Sequence, residues 1–579
     1  MDFEYSTKEG RQQTALTLLV QARSKRGKRE VYWQRMRRYY EGAHEAIGEV
    51  AGYLEESGMP PVDACVTDAF IQVESQINPV MPSVVFKGRD DDLDGIRAKQ
   101  REYAVKFVLN NNAYEDEISL SERAMLIDGD AFIKVFYDES MGECGDIRIM
   151  TVPSEQLYFD PAASSLDGCE YIDFLYPMHV RQLIRIYGED IKAAGIDLER
   201  IAGRDFAGEG SKANEEHVLS VLEHWYRDEE GDICCSMSVG GEEFKHIERY
   251  WLKTGVQNKS YPFVHLFRIR DNEQFYNRSE IEQIIPLIDS ADRALLYGLI
   301  NAAFTSNDII IAEKNALEEG TEIENAPGSV ISVRDGRAGG IRRLGGLSAL
   351  SSQMAQIQYL QNQIQRTTRN YDSNIGKEPT KVTTASGLAQ LRADAQQQRS
   401  IKTVDRLNGY KRLFELIDWS VLEFYDDERM IFIGVNASRR RKALMPGANL
   451  DEQQGDILFT FNADNLRRRK GTPSRQPKLD EDGNLMIDEI TGAVLFEELP
   501  SEFYYPRVDV IVTAGEGEDV AKSYTIEALM QIAEMNVSEE NIAVLSRIVE
   551  ALDIQDWQSI VAEWERRFRP VGEVDMMPF

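Results

Sequence analysis

The longest helical pattern in the sequence runs from Thr384 to Tyr425 and contains no proline. At roughly 1.5 Å per residue, such a helix reaches about 60 Å. That length exceeds the width of an ordinary small domain. Its apolar residues recur at steps of mostly three and four, as one face of a helix requires: Leu388, Leu391, Ala395, Ile401, Val404, Leu407, Phe414, Ile417, Val421 and Phe424.

The composition indicates a folded chain of several domains, with 579 residues of which 42% are hydrophobic and 28% charged. No run of eighteen apolar residues occurs, and the first twenty residues carry several charges, so the sequence predicts neither a membrane span nor a secretory signal. We expect the chain to remain in the cytoplasm where it is made. The net charge of −32 argues against tight wrapping of nucleic acid, because phosphate binding needs concentrated lysine and arginine. It leaves room for a surface that lets DNA pass without holding it.

The residue types that usually carry catalysis form no typical motif. The sequence contains no G-x-x-x-x-G-K-[ST] phosphate loop, no H-E-x-x-H and no G-x-S-x-G. GGIRRLGG at 339–346 lacks the lysine that pairs with phosphates, so we interpret it as a flexible turn. Near Asp480 and Asp482, Gly483 stands fourth rather than sixth, which favours a hairpin turn over a calcium loop. We predict no enzyme activity, no catalytic residue, no cofactor and no metal site.

The cysteines and histidines are scattered along the chain. The five cysteines are odd in number and lack C-x-x-C spacing, which predicts buried, reduced thiols. No two of the six histidines are spaced i, i+4, so core or surface roles are favoured over metal binding.

The first part of the chain alternates helical and strand patterns. Residues 11–57 are predicted to be helical, and they begin with a basic stretch around Tyr32 and Trp33. This stretch is either a solvated helix face with its aromatic edge in the core or a surface facing DNA, and the pattern favours the first. A second helix is predicted over 93–110, followed by short strands from Gly129 to Asp271.

Two helices around a small β unit come next. Ser279 and Glu282 form a capping-box pair, and Pro286 predicts either a kink or a late helix start. The second helix is predicted from about Ser348 to Tyr371. The insert between them carries the strand-like DIIIA and SVISV and several arginines. After the long helix, strands are predicted at MIFIGV, DILFTF and PRVDVIV, loops and hairpins over 436–505, and three helices from 520.

This order of elements, α+β in class, resembles the portal proteins of tailed bacteriophages. The phrases that carry the resemblance are DGDAFIKVFYD, VPSEQLYFDP, YPFVHLFRI, YNRSEIEQIIPLID and PTKVTTASGLAQ. The resemblance implies a portal-type subunit with an α/β wing, a two-helix stem, a small α/β clip, a long kinked helix and a helical crown. The implied boundaries are wing 1–271, stem helix 272–306, clip 307–346, stem helix 347–371, tunnel loop 372–385, long wing helix 386–425, wing 426–519 and crown 520–579. The insertion over 436–505 has no counterpart in the family pattern, and Gly409 marks the bend seen in many portal helices.

The resemblance also implies a function and partners. Portal proteins form a ring, usually of twelve copies, at one capsid vertex, where double-stranded DNA passes during packaging and ejection. The implied partners are the terminase large subunit, the head-tail adaptor, and the major capsid and scaffold proteins, in a virion assembled in the host cytoplasm and without a membrane. The alternatives are another ring or adaptor protein of the head-tail junction, or a nucleic-acid-processing enzyme.

The resemblance assigns roles to three groups of residues. DNA-facing positions in the tunnel loop are Lys377, Thr380, Lys381 and Thr383. Pairing of the two lysines with acidic neighbours is an equally open interpretation. Partner-binding positions in the clip are Arg334, Arg337, Arg342 and Arg343, for which solvated loop charge is the alternative. The residues assigned to subunit packing in the stem are Ile284, Ile288, Leu295, Leu299, Met354, Ile357 and Ile364.

Overall fold

The computed structural model describes the chain in segments. These are residues 4–56, 64–77, 82–88, 92–141, 144–202, 218–255, 257–271, 275–306, 309–312, 341–344, 350–368, 400–426, 429–433, 457–469, 475–477, 496–498 and 503–513. Contacts divide the chain into two units, one of 1–79 with 84–512 and one of 80–83 with 513–579. The structure below is that of the first unit. It is a mixed α+β structure, which confirms the predicted class.

The helical N-terminal region is two helices rather than one. Helix α1 (Lys8–Tyr40) begins at Thr7, whose hydroxyl accepts a hydrogen bond from the backbone N–H of Gly10 at 3.1 Å. The chain turns at Gly42, which has a φ of 84°, before α2 (Glu45–Glu56). The short elements α3 (Asp68–Glu74) and β1 (Ser83–Gly88), then α4 (Asp92–Asn111) and α5 (Tyr114–Asp128), follow. Helix α4 matches the helix predicted over 93–110, whereas α5 was not predicted.

A three-stranded antiparallel sheet follows α5. Its order is β3 (Asp146–Val152), β2 (Asp130–Asp138) and β9 (Phe263–Phe267). The turn from α5 into β2 requires Gly129, because its φ is 91° and a Cβ there would lie 2.5 Å from the carbonyl oxygen of Asn277.

A second sheet is a five-stranded antiparallel meander in chain order. Its strands are β4 (Leu157–Phe159), β5 (Tyr171–His179), β6 (Val218–Arg227), β7 (Ile233–Val239) and β8 (Glu242–Ile247). Strand β5 was not predicted, and neither were α6 (Val180–Ala193) and α7 (Leu198–Ala202). The two sheets are joined by an ion pair in which Lys134 Nζ lies 2.6 Å from Glu223 Oε2, both side chains being about 95% buried.

The two helices around a small β unit are present. They are α8 (Ile285–Ser306) and α9 (Leu350–Thr368), and between them β10 (Ile309–Ala312) pairs antiparallel with β11 (Ile341–Leu344). Strand β11 corrects the prediction of a flexible turn at 339–346, because its backbone completes the ladder that β10 begins. The predicted strand SVISV lies outside the described residues.

The start of α8 differs from the predicted capping box. Pro286 lies in the first turn, so it marks a late start, where its missing N–H costs nothing. The hydroxyl of Ser279 accepts from Ile281 N and donates to the carbonyl of Leu126, both at 3.0 Å. Glu282 accepts a hydrogen bond from the hydroxyl of Tyr32 at 3.0 Å. Both side chains therefore bind other parts of the chain instead of capping a helix.

The long helix is described as α10 (Ser400–Phe424), and the predicted portion before Ser400 lies outside the described residues. Phe414, Ile417 and Val421 are fully buried, as the apolar pattern predicts, whereas Val404 is 54% exposed. A Cβ on Gly409 would lie 2.3 Å from Cδ2 of Leu266 in β9. The glycine therefore allows the helix to approach the three-stranded sheet closely.

Short β pairs follow α10. Strand β12 (Arg429–Ile433) pairs with β13 (Ile457–Phe461), and β18 (Val508–Thr513) pairs with β1. Strands β12, β13 and β18 occupy the positions where strands were predicted at MIFIGV, DILFTF and PRVDVIV. Between β13 and β18 lie β14 (Arg468–Arg469), β15 (Arg475–Pro477), β16 (Phe496–Glu498) and β17 (Phe503–Tyr504), in two small antiparallel pairs. The helices predicted from 520 lie outside the described residues.

Candidate functional site

The candidate site is the pair of helices α8 and α9, which the sequence assigns to subunit packing. The helices are antiparallel, because Ile288 near the start of α8 and Ile364 near the end of α9 share one buried cluster. At the opposite end, a Cβ on Gly298 would lie 3.0 Å from Oε1 of Gln353. We call the first region the base of the pair and the second region, with β10 and β11 beyond it, the distal end.

The base of the pair is part of the core of a single chain. Ile284, Ile288 and Ile364 are fully buried in a cluster that includes Met36 of α1 and Leu126 of α5. A side chain without exposed surface has none to offer to a neighbouring subunit. This corrects the role predicted for these three isoleucines, whose packing partners lie within their own chain.

The distal end retains exposed apolar side chains. Leu299 is 38% exposed and Met354 is 58% exposed, and two tyrosines beside them, Tyr297 and Tyr359, are 49% and 61% exposed. The other two predicted residues lie between these extremes: Leu295 packs partly against the core cluster, and Ile357 is half-buried. These four large exposed side chains lie outside the buried base of the pair and leave apolar surface open to a partner.

Two carboxylates in α8 anchor the base of the pair to α1 and the segment after it. Asp289 accepts a hydrogen bond from the hydroxyl of Tyr39 at 2.8 Å. Asp292 Oδ2 lies 2.6 Å from Nδ1 of His44, and its Oδ1 accepts from the backbone N–H of Val66 at 2.7 Å. Burial alone would lower the pKa of His44, but the hydrogen bond and charge of Asp292 raise it above its ordinary value. These contacts fix the position of α8 in the chain.

Most other predicted site residues cannot be compared with the structure. Six of them lie outside the described residues. They are the tunnel-loop residues Lys377, Thr380, Lys381 and Thr383 and the clip residues Arg334 and Arg337. The backbones of Arg342 and Arg343 lie in β11, opposite Ile311 and Ile310.

The basic stretch of α1 is mostly solvated, as predicted, because Arg23, Lys25, Lys28, Arg35 and Arg38 are exposed, while its three other arginines are paired within the chain. Arg29 donates to Asp130 Oδ2 at 3.1 Å, and Arg37 donates to Asp128 Oδ2 at 2.7 Å. Arg26 is 4% exposed, with its guanidinium 3.6 Å from the ring centre of Tyr158. The predicted aromatic edge is confirmed, since Trp33 is fully buried.

The polar centre of the chain lies around Asp130, which sequence reasoning missed. This fully buried carboxylate accepts hydrogen bonds from Asn277 Nδ2 and from His265 Nε2, both at 2.8 Å, as well as from Arg29. A second buried pair joins neighbouring strands, with His224 Nδ1 2.6 Å from Asp173 Oδ1. Burial raises the pKa of Asp173, and the proximity of His224 opposes that shift. The sequence signal was an acidic residue beside an apolar run, since Asp130 begins β2 and Asp173 lies inside β5.

The cysteines follow the predictions only in part. None of the five cysteines, all of which lie in the described residues, forms a disulfide, and burial raises the pKa of Cys169 and of Cys234 to about 12. Cys144 is exposed and Cys65 is half-buried, so these two depart from the predicted burial.

In the described segments, no group of three or more histidine, cysteine or acidic side chains is arranged to hold a metal ion. None of the described helices is long and apolar enough to cross a membrane.

A cavity of about 160 Å³ lies between α10 and β9. His265, Arg412 and Glu415 are among its lining residues. Burial raises the pKa of Glu415, against the opposing charge of Lys411. The cavity is large enough for a few water molecules and is partly polar.

Comparison of the sequence with known protein families finds no match, and neither does comparison with curated proteins.

Proposed function

We propose that this protein is the subunit of a ring-shaped channel at one vertex of a bacteriophage capsid, a portal protein through which DNA is packaged and ejected. The observation that carries the proposal is the pair of helices α8 and α9. Its base is buried in the chain's own core, while the rest of the pair exposes Tyr297, Leu299, Met354 and Tyr359. A helix pair of this kind gains stability when copies of the chain cover the exposed end.

The order of elements supports the same proposal. An α+β region leads into α8, the small β10–β11 ladder, α9, and then α10, which returns to strands. Helix α10 is held firmly in the chain, because Arg101 of α4 forms a fully buried pair with Asp418. The carboxylate of Glu423 also accepts hydrogen bonds from the backbone N–H groups of Leu252 and Thr254, at 2.8 and 3.0 Å. In the proposed ring, α10 is the rigid support from which the loop before it reaches the channel.

The charge of the chain suits a channel that does not hold DNA. Because the chain has a net charge of −32 and DNA is also negatively charged, the channel wall does not bind the duplex tightly at any one position. Salt screens the repulsion over about 10 Å, so the repulsion acts only near the wall. The duplex can then slide. The proposed partners are the terminase large subunit, the head-tail adaptor, and the major capsid and scaffold proteins, and the proposed location is the virion.

Electron microscopy of the purified protein tests the proposal. We expect annular particles in negative stain, with a central hole wide enough for duplex DNA, and closed rotational symmetry in class averages. The same preparation is expected to turn over neither ATP nor DNA. Monomers at every concentration, even when scaffold and capsid proteins are present, would contradict the proposal. So would a compact closed dimer.

A further inference from the structure

The outer face of α1 carries small and aliphatic side chains along its centre. Val20 is 67% exposed and Val31 is 66% exposed, and Ser24 and Gly27 lie between them on the same stripe. Arg23 flanks this stripe on one side and Lys28 on the other, and both are exposed. We call these six residues the basic face of α1.

Gly27 has no explanation within the described part of the chain. Glycine in a helix interior costs about 1 kcal/mol relative to alanine. At Gly409 and Gly298, a neighbouring side chain lies within 3.0 Å of where a Cβ would be. At Gly27 nothing lies within 4 Å of that position. The described part of the chain therefore leaves room at Gly27 for the close approach of another helix.

The two flanking cations also lack the partners that the other arginines of α1 have. Arg11, Arg29 and Arg37 form ion pairs with Glu243, Asp130 and Asp128. Arg23 and Lys28 form no ion pair with any residue that the structure describes. Glu9 and Glu30 are the only acidic residues in α1. The helix is thus strongly basic in a chain with a net charge of −32.

Helix α2 has an outer face of opposite charge and similar shape. Its inner side chains Ala46 and Val50 are buried, and Val50 packs with Leu296 of α8. Gly48 and Gly52 are exposed one turn apart, and no atom lies within 4 Å of a Cβ at either position. Every charged residue of α2 is a glutamate. We call Gly48, Gly52 and the exposed glutamates Glu49 and Glu55 the acidic face of α2; Glu49 also forms an exposed ion pair with Arg293 of α8, at 2.8 Å.

We infer that the basic face of α1 docks against the acidic face of α2 in a second copy of this chain. Glycines on both faces allow the two helix backbones to approach closely, and the flanking cations of α1 then meet the glutamates of α2. The contact joins two different surfaces, so it is heterologous and can close a ring. The inference rests on the proposed function and names the surfaces that join adjacent subunits.

A second copy fits the basic face of α1 better than nucleic acid does. Phosphate binding uses lysine and arginine, but it gains nothing from exposed valines or from an open glycine. Packing against another helix uses all of these residues together. The acidic face required for this contact is present in every copy.

Charge reversal on each face tests the inference. In R23E/K28E both faces are acidic, and in E49K/E55K both are basic, so we expect each variant alone to need at least about tenfold more protein to assemble than wild type. In an equal mixture, each contact between unlike copies is again between opposite charges. The mixture should therefore assemble, in alternating order, at close to the wild-type concentration. Sedimentation velocity measures the assembly.

Controls separate this result from misfolding and from general charge effects. R181E/K192E makes the same charge change on exposed positions of α6 and should assemble as wild type does. All variants should keep the wild-type circular dichroism spectrum. Rings from R23E/K28E alone at the wild-type concentration would overturn the inference and leave the proposed function standing. An equal mixture that stays unassembled would overturn it as well. A wild-type chain that forms no oligomer overturns both.

Discussion

Nδ1 of His44 lies 2.6 Å from Oδ2 of Asp292, although 248 residues separate the two in the sequence. The other ring nitrogen, Nε2, lies 2.9 Å from the carbonyl oxygen of Tyr39. Both neighbours are acceptors, so the protonated imidazole donates to both at once, in keeping with the raised pKa of His44. The buried pair holds the segment after α1 to the middle of α8, and its strength depends on that proton.

Replacing His44 with glutamine should give a pH-dependent loss of stability. The folded-state pKa of His44 is raised, so its contribution is fully present below about pH 6.5 and is lost as the pH rises through the folded value. Urea unfolding of wild type and His44→Gln at about pH 6 and pH 8.5 measures the difference. The stability gap between the two proteins should be larger at the lower pH. A gap that is the same at both values would contradict the assignment.

Gly409 should tolerate no side chain. Because Leu266 is 2% exposed and a Cβ on Gly409 would lie 2.3 Å from it, we expect Gly409→Ala to cost about 1 to 3 kcal/mol, despite the better helix propensity of alanine. Gly27→Ala is the matched control in open space and should stabilise the chain by about 0.5 to 1 kcal/mol. Chemical denaturation measures both. In a double-mutant cycle, Leu266→Ala should remove most of the penalty at Gly409, and additive effects would show that the contact is not the cause.

The ion pair between the two sheets should be costly to break from one side. Lys134 lies within 2.8 Å of both carboxylate oxygens of Glu223, and Trp225 Nε1 donates to the same carboxylate at 2.9 Å. Lys134→Met leaves that carboxylate buried without its cation, at an expected cost of about 3 to 5 kcal/mol. Removing both charges in Lys134→Met/Glu223→Leu should cost less than the single change. Thermal unfolding distinguishes the outcomes, and a double variant less stable than Lys134→Met would contradict the prediction.

The two ends of the helix pair should respond differently to substitution. Met354 is 58% exposed, so Met354→Asp should change the stability of the isolated chain by less than about 1 kcal/mol while reducing assembly. Ile364 is fully buried, so Ile364→Ala should cost about 2 to 5 kcal/mol through the cavity it leaves. Unfolding curves combined with sedimentation separate the two effects. Normal assembly by Met354→Asp would remove the distal end from the proposed subunit contact.

The tunnel-loop lysines are expected to act on DNA rather than on assembly. Replacing Lys377 and Lys381 with alanine removes two cations that can contact phosphates. Rings should form normally, and particles built with them should package or retain less DNA than wild type. Packaged DNA is measured by nuclease protection. Loss of ring formation would instead assign the two lysines a structural role.

Local patterns in the sequence predicted the elements whose apolar residues face one core. The face of α10 at Phe414, Ile417 and Val421 and the strands β2 and β3 are examples. Strand β5 was missed because the buried Asp173 interrupts its apolar run, and this aspartate is acceptable only because His224 lies on the neighbouring strand. A partner 51 residues away leaves no local signal.

The candidate site was predictable in outline only. The helical periodicity of α8 and α9 identified the pair, but it could not distinguish Ile288 in the core from Met354 at the surface, since both lie on an apolar stripe. That distinction depends on where α1 and α5 pack. The ion pairs of the less exposed arginines of α1 were missed for a related reason. Their carboxylate partners lie far along the chain, as with Arg29 and Asp130.

The contacts of α1 also affect the order of events during synthesis. Tyr39 and His44 bind Asp289 and Asp292, so α1 cannot reach its final environment until some 250 residues more have been added. At about 5–20 residues per second, this takes roughly ten to fifty seconds. Throughout that time, nascent chains on one messenger carry an unburied, basic and partly apolar helix. Folding helpers that shield such a helix should therefore raise the yield of folded protein.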